Sequence, residues 1–290
     1  MTHSGEDVRE HYEAAIADED LLLARLTHIL DGIEAPITAG KLAALDQFHI
    51  GGLTATIELA RRATITPRMR VLDAGSGLGG PARWLAESIG CRVTGVDLSP
   101  NYVAVARLLT DRSGLADKVD FEVGDLSRLG FDDETFDLVW TQHVAMNIRD
   151  RPTLYGELRR VLKPGGTLAF FDPVSGDAGE PFHYPVPWAE TDDISALLTG
   201  QETKAALEDA GFRVASVEDV TPLAFGWAME QRQQTAAAPF GLPMIMGPLM
   251  GEMVANFARN LQEGRLRLIM GICAAEAGGW REFFSPQNHT

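Results

Sequence analysis

The run Val71-Leu-Asp-Ala-Gly75-Ser-Gly77-Leu-Gly79-Gly80 constrains this chain more than any other segment. Branched apolar residues lead into glycines, and Pro81 follows at once. Such a run ends a buried strand and opens a helix, because proline at the first helical turn lacks only an N–H that has no helical partner anyway. Glycines there let the backbone approach a ligand closely, and the free N–H groups of the helix start face it. Taken alone, a glycine-rich turn is weak evidence for a site. Gly75, Gly77 and Gly80 also satisfy the dinucleotide spacing G-x-G-x-x-G, so a nicotinamide-dependent oxidoreductase stays open at this point.

What surrounds the turn sets the fold class. From Met69 onward MRVLDAG, CRVTGVD, KVDFEVG, FDLVWTQ and GTLAFFD alternate with helical patterns such as PARWLAESIG, PNYVAVARLLTDRSG and RPTLYGELRRVL. Strands alternating with helices imply an α/β fold, a parallel sheet with helices on both faces. The spacing predicts helices over 7–31 and 52–63, a helix at 201–210, a strand near 212–219 and a last strand RLIMGIC. Residues 222–265 are rich in Met, Gly and Pro and read as a helical lid over the ligand edge of the sheet. We therefore divide the chain into an N-terminal helical extension with a covering loop, 1–66, and a main domain, 67–290, that carries the lid.

Charge narrows the partners. With 25 Lys+Arg against 41 Asp+Glu, a net charge of −16, nucleic acid and anionic membranes are not expected partners. Cys91 and Cys273 have no Cys or His at metal spacing and read as buried thiols of a cytoplasmic protein. The first twenty residues carry charges where a signal peptide needs an apolar core, and no stretch approaches the length of a membrane span. No metal is expected. The aromatic tail WREFFSPQNHT leaves a homo-oligomer open.

Asp97 ends the second strand about 20 residues after Gly75, a spacing that suits a carboxylate accepting bonds from ribose hydroxyls. Gly124-Asp125-Leu126 closes the third strand, and Leu162-Lys-Pro-Gly-Gly166 forms a turn that stops a helix and introduces the fifth. Together these motifs, over roughly 69–220, resemble the class I S-adenosylmethionine-dependent methyltransferases. The resemblance implies a Rossmann-like, doubly wound seven-stranded sheet with its last strand antiparallel, and the cofactor lying across strands one to four. By position, Asp73, Gly75, Gly77 and Gly79 would flank the methionine part, Asp97 and Leu98 the ribose and adenine, Asp125 and Leu126 the adenine edge. Gln142 and His143 would border the sulfonium. The phrases Leu45-Asp-Gln-Phe-His49-Ile-Gly-Gly52, Pro185-Val-Pro-Trp188 and Ala210-Gly-Phe212 look like the sarcosine and dimethylglycine methyltransferase branch. That likeness implies that Gln47–Gly52 folds over the cofactor and that the lid caps a small-molecule acceptor.

His49, His143 and His183 are candidates for proton transfer, with a structural hydrogen bond as the plain alternative for each; His143 and His49 are the first choices for a base. His11 and His28 read as surface or packing residues. Phe182, His183, Tyr184 and Trp188 follow the fifth strand, and the lid offers Trp227, Met229, Phe240, Met244, Met246, Met250 and Met253. His183, Tyr184, Trp188, Trp227 and Met246 are the expected acceptor wall, which suits a hydrophobic acceptor or a cationic amine. Arg259, Arg265 and Arg267 could pair a substrate carboxylate or solvate a helix end. The expected activity is in-line methyl transfer to an amine, hydroxyl or activated carbon. An oxidoreductase and a non-catalytic cofactor-binding protein are the alternatives.

Overall fold

The computed structural model describes residues 5–14, 16, 18–178, 181–236, 241 and 243–276. Its centre is a seven-stranded sheet built from β1 (Arg70–Ala74), β2 (Arg92–Asp97), β3 (Val119–Val123), β4 (Phe136–Gln142), β5 (Leu162–Ser175), β6 (Phe212–Asp219) and β7 (Leu266–Ala275). The order is β3-β2-β1-β4-β5-β7-β6, with β7 antiparallel to both neighbours and the other pairings parallel. The chain winds outward from β1 to β3, then returns to the far side of β1 as β4. That reversal opens a crevice at the carboxyl ends of β1 and β4, where doubly wound sheets hold their ligands. Asp73 of β1 lies in register between Gly95 of β2 and Trp140 of β4, at the floor of that crevice.

Helices cover both faces. They are α1 (Gly5–Glu13), α2 (Glu19–Asp31), α3 (Ala39–Asp46), α4 (Gly52–Ala63), α5 (Gly80–Ser88), α6 (Pro100–Arg112), α7 (Arg151–Val161), α8 (Gly200–Asp209), α9 (Thr221–Ala236), α10 (Pro243–Met246) and α11 (Met250–Gln262). One face of the sheet buries Val71, Val93, Trp140 and Phe171 against α4 and α5, with Trp227 and Phe257 of the lid closing the same core. The other buries Leu72, Val139 and Phe170 against Leu154 and Leu158 of α7 and Leu207 of α8. A third cluster packs Leu22, Leu26 and Leu30 of α2 on Leu42 and Leu45 of α3, Leu109 of α6 and Ile245 of α10. The lid thereby reaches back onto the N-terminal helices. Both cysteines are buried, and burial pushes Cys91 up to about 11 and Cys273 up to about 12.

Local chemistry sets the boundaries. Ser99, Asp150 and Thr199 cap α6, α7 and α8 through bonds to Tyr102 N, Thr153 N and Glu202 N, and Thr199 and Glu202 form a reciprocal capping box. Two expectations need correction. The single helix over 7–31 is two helices, because Asp18 accepts from Leu21 N and starts α2 afresh. Lys163-Pro-Gly-Gly166 is no separate turn. It lies within β5 as an irregularity in pairing, where Phe136 pairs with Leu162 but Leu138 already pairs with Thr167. The spacing did not predict α3 at all, an eight-residue helix capped by Thr38. No helix among the described residues is long and apolar enough to cross a membrane. Phe240, the side chain of Met244 and the tail after Gly279 lie outside the described residues.

Candidate active site

The glycine loop does two jobs. Gly79, at φ 76°, tucks so closely under Phe121 that an added Cβ would stand 2.3 Å from its ring, so this position serves packing. Gly77, at φ 52°, would meet nothing nearer than Phe48 at 3.8 Å, so its open side is where a ligand can lie against the backbone. Asp97 braces the loop: one carboxylate oxygen accepts from Gly77 N at 2.7 Å, the other from Ser99 N at 3.0 Å. Burial pushes Asp97 upward, opposed by these N–H donors. Asp73 is buried with Oδ2 unpartnered, and Ser76 Oγ is also buried without a partner. Burial, with a smaller contribution from Asp97, pushes the Asp73 carboxyl up to about 7.

Helix α1 closes the other end of the crevice. The Tyr102 hydroxyl donates to Tyr12 O at 3.0 Å, Ser99 Oγ donates to Glu13 Oε1 at 2.6 Å, and the Tyr12 hydroxyl donates to Asn147 Oδ1 at 2.9 Å. A cavity of about 310 Å³ remains between Gly5, Glu6 and Arg9 of α1 and Leu98 and Asp125. Leu98 and Asp125 line this cavity together, whereas Leu126 packs into the core with Val96 and Leu129.

Beyond the glycine loop lies a buried polar cluster. His49 Nε2 lies 2.9 Å from Gly52 O and 3.1 Å from Thr56 Oγ1. Thr56 Oγ1 also lies 2.9 Å from Gln47 Oε1 and 3.3 Å from Gln142 Oε1, which accepts from Trp140 Nε1 at 2.9 Å. The rings of His49 and His143 are 6.0 Å apart, and Phe171 stands 4.8 Å from His143 and 6.1 Å from Trp227. Burial pushes His49 down to about 4; burial and the neighbouring His49 push His143 well below the ordinary imidazole range. Both rings are therefore neutral near pH 7. His49 spends Nε2 within the protein, but His143 Nε2 is buried with no partner. His143 also adopts φ 55°, the left-handed region that a side chain such as histidine occupies only when its surroundings impose it.

Those surroundings escaped sequence reasoning. Asp172 of β5, buried, accepts from Val144 N at 2.9 Å and Ala145 N at 3.3 Å, while His143 N donates to Phe171 O at 2.7 Å. Arg151, also buried, donates to Ala145 O, Ile148 O and, at 2.7 Å, Ala196 O. The loop that carries His143 is thus clamped from both sides. A second missed pair joins Asp46 of α3 to Arg83 of α5 at 2.8 Å, both side chains fully buried. Sequence reasoning missed each of these residues, because tertiary packing sets the contacts that bury it.

The remaining expected residues have other engagements. His183 Nε2 meets Glu263 Oε2 at 2.8 Å, and Asn260 bonds the His183 backbone in both directions, fastening this loop to α11. Trp188 is 1% exposed, donates Nε1 to Ser195 Oγ and packs edge-on against Phe257. Tyr184 packs on Phe182, and Met246 sits half-buried on α10 beside the buried Ile245. Arg259 and Arg265 bind Glu263, and Arg267 faces Asp177 and Asp219. His11 Nε2 lies 3.2 Å from Pro187 O, a packing role. Of the expected wall, Trp227 approaches the histidine cluster by way of Phe171, whose ring stands 6.1 Å away.

Comparison with known proteins agrees with this layout. Residues 72–170 match the family model of a methyltransferase domain. Methyltransferase GfsG of Streptomyces halstedii is 30% identical over 217 residues, which cover 72% of this chain and 73% of that protein. The glycine/sarcosine/dimethylglycine N-methyltransferase of Actinopolyspora halophila is 37% identical over 122 residues, 42% of this chain and 22% of that one. The structure of Haemonchus contortus phosphoethanolamine N-methyltransferase 2 in complex with S-adenosyl-L-methionine superposes with a TM-score of 0.66 at 23% identity, over 90% of this chain and 61% of that one. The dinucleotide reading of Gly75, Gly77 and Gly80 falls away with these matches. The open face of Gly77, the unpartnered Asp73 and Ser76 oxygens and the braced Asp97 fit S-adenosylmethionine as the cofactor. The chain belongs to the class I S-adenosylmethionine-dependent methyltransferases that act on small molecules.

Proposed function

We propose that this enzyme methylates a hydroxyl or an acidic carbon of a small-molecule acceptor, and that His143 takes the proton. The observation that carries the reading is the buried, unpartnered Nε2 of His143 at the carboxyl end of β4, in a strained conformation held by Asp172 and Phe171 O. Asp73, Gly77 and Asp97 would hold the cofactor, Asp97 at the ribose and Asp73 near the methionine part. When bound, S-adenosylmethionine supplies an electrophilic methyl group on a good leaving group. The protein then has to orient the acceptor and exclude water, which supplies ~7–11 kcal/mol in well-aligned systems. A neutral imidazole can accept the acceptor's proton at Nε2 as the new bond forms. His49, whose Nε2 is occupied, keeps the Gln47–Gly52 segment folded over the site and contributes to His143's low basicity.

The test replaces His143 by Ala and measures S-adenosylhomocysteine formation beside S-adenosylhomocysteine binding. The expected result is a loss of turnover of about 10²–10⁴-fold with binding retained. Turnover at the wild-type rate would reduce His143 to a structural residue.

A further inference from the structure

Two side-chain amides next to His143 have no described use in the free protein. Gln142 Nε2 and Gln47 Nε2 are buried with no hydrogen-bond partner, and the two side chains are at most 9% exposed. The orientation of Gln142 is fixed by chemistry. Indole N–H is a donor only, so the carbonyl oxygen must face Trp140 Nε1, and the amide N–H₂ must point away from it. The Gln47 oxygen is turned to the Thr56 hydroxyl at 2.9 Å, which leaves its N–H₂ free as well. A buried donor without an acceptor costs about 1–3 kcal/mol, so a pair of them is retained where a ligand supplies the acceptor.

The company they keep defines that ligand. Each polar atom recorded within the cluster belongs to an uncharged group: Gln47, His49, Thr56, Trp140, Gln142 and the carbonyl of Gly52. The buried guanidiniums of Arg151 and Arg83 are spent elsewhere, Arg151 on main-chain carbonyls and Arg83 on Asp46. A carboxylate or phosphate brought here would be desolvated without a counter-charge, a penalty larger than two amide donors offset. A cationic amine would face amide hydrogens, the wrong sign of dipole. An uncharged oxygen on an apolar body satisfies the donors, and the rings packed against the cluster, Phe171 and beyond it Trp227, match an apolar body.

We propose that Gln142 and Gln47 form a specificity pair that grips the acceptor through an uncharged oxygen, and so select neutral phenol-, enol- or alcohol-type acceptors over carboxylates, phosphates and ammonium compounds. This rests on the methyltransferase site proposed above. It assigns Gln142 to the acceptor, where its position in the sequence placed it beside the cofactor.

The probe set is 2-naphthol, 2-naphthoate and 2-naphthylmethylammonium, titrated by calorimetry into the full chain presaturated with S-adenosylhomocysteine. The expected result is that 2-naphthol binds at least about tenfold tighter than either ion, and that Gln142→Glu and Gln47→Glu each weaken it by about tenfold while S-adenosylhomocysteine affinity stays within about twofold. If the buried carboxylate of Gln142→Glu unfolds the protein, Gln142→Met carries the same test, with S-adenosylhomocysteine binding as the control for folding. No binding of 2-naphthol, equal or tighter binding of an ion, or an equal loss of S-adenosylhomocysteine affinity in the variants would each overturn the proposal while leaving the methyltransferase site standing. A wild-type protein that fails to bind S-adenosylhomocysteine would instead bring down the site itself, and this pair with it.

Discussion

Replacing Arg83 by Met tests whether the covering segment is locked to the glycine loop through charge. Arg83 donates to Asp46 Oδ2 at 2.8 Å, to Ala106 O and Thr110 Oγ1 at 3.0 Å, and to Leu78 O. Asp46 Oδ1 has no other partner, and burial pushes the Asp46 carboxyl up even with Arg83 beside it. Without the guanidinium, Asp46 would be a bare buried carboxylate, and protonation sets the ceiling on its cost. Holding a carboxyl neutral at pH 7.5 when its unfolded value is near 4 costs about 5 kcal/mol, at about 1.36 kcal/mol per pH unit. Breaking one side of a buried ion pair ordinarily costs ~3–5 kcal/mol, so the expected loss lies in that range, or ~10 °C in melting temperature. The sign with pH follows. Because the folded carboxyl would titrate above the unfolded one, the deficit of Arg83→Met is largest above pH 7 and shrinks to about 1.4 kcal/mol at pH 5. Urea unfolding of Arg83→Met, Asp46→Leu and the double variant at both pH values is the assay. The double variant is expected within about 2 kcal/mol of wild type, since an apolar pair replaces the ionic one. A loss below about 1 kcal/mol in Arg83→Met, or one that does not shrink on acidification, would refute the reasoning.

Other consequences concern the cofactor end and the His143 loop. Asp73 titrates at about 7 in the free protein, and an adjacent ammonium group would favour its ionised form; S-adenosylhomocysteine affinity is therefore expected to rise by up to about tenfold from pH 6 to pH 8, with proton release in calorimetry, and to lose this dependence in Asp73→Asn. Asp172→Ala leaves Val144 N and Ala145 N without their acceptor and Arg151 without its nearby charge, so stability should fall by ~2–4 kcal/mol. In a fraction that still folds, kcat should fall while S-adenosylhomocysteine affinity holds, because Asp172 positions His143 rather than touching the cofactor; unchanged kcat would contradict that role.

The parts of the fold that could be read from sequence are those dictated by neighbours along the chain. The strand-glycine-helix turn at Val71–Gly80, the carboxylate at Asp97 and the alternation of period through β5 are local patterns, and they placed the crevice correctly. The strand near 212–219 and the helix over 52–63 are found as β6 and α4 for the same reason. What stayed hidden was tertiary. Helix α3 is too short to display a period, and the role of Asp46 within it depends on Arg83, which lies elsewhere in the chain. Asp172 looks like the end of an apolar strand until the loop after β4 folds beside it. At the expected acceptor wall, the bonds that hold Trp188 and His183 stayed hidden for a related reason. Aromatic and polar residues after a strand look like site residues, yet here Ser195, Asn260 and Glu263 use them to fasten a long loop.

The most direct test of the account is a crystal structure of the complex with S-adenosylhomocysteine. The ribose is predicted on Asp97, the amino group toward Asp73, and the sulfur turned toward Gln142 and His143, with Phe171 and Trp227 closing the space beyond it. A complex in which the sulfur faces away from His143, or in which the His143 Nε2 remains walled off from the ligand, would contradict the proposed chemistry.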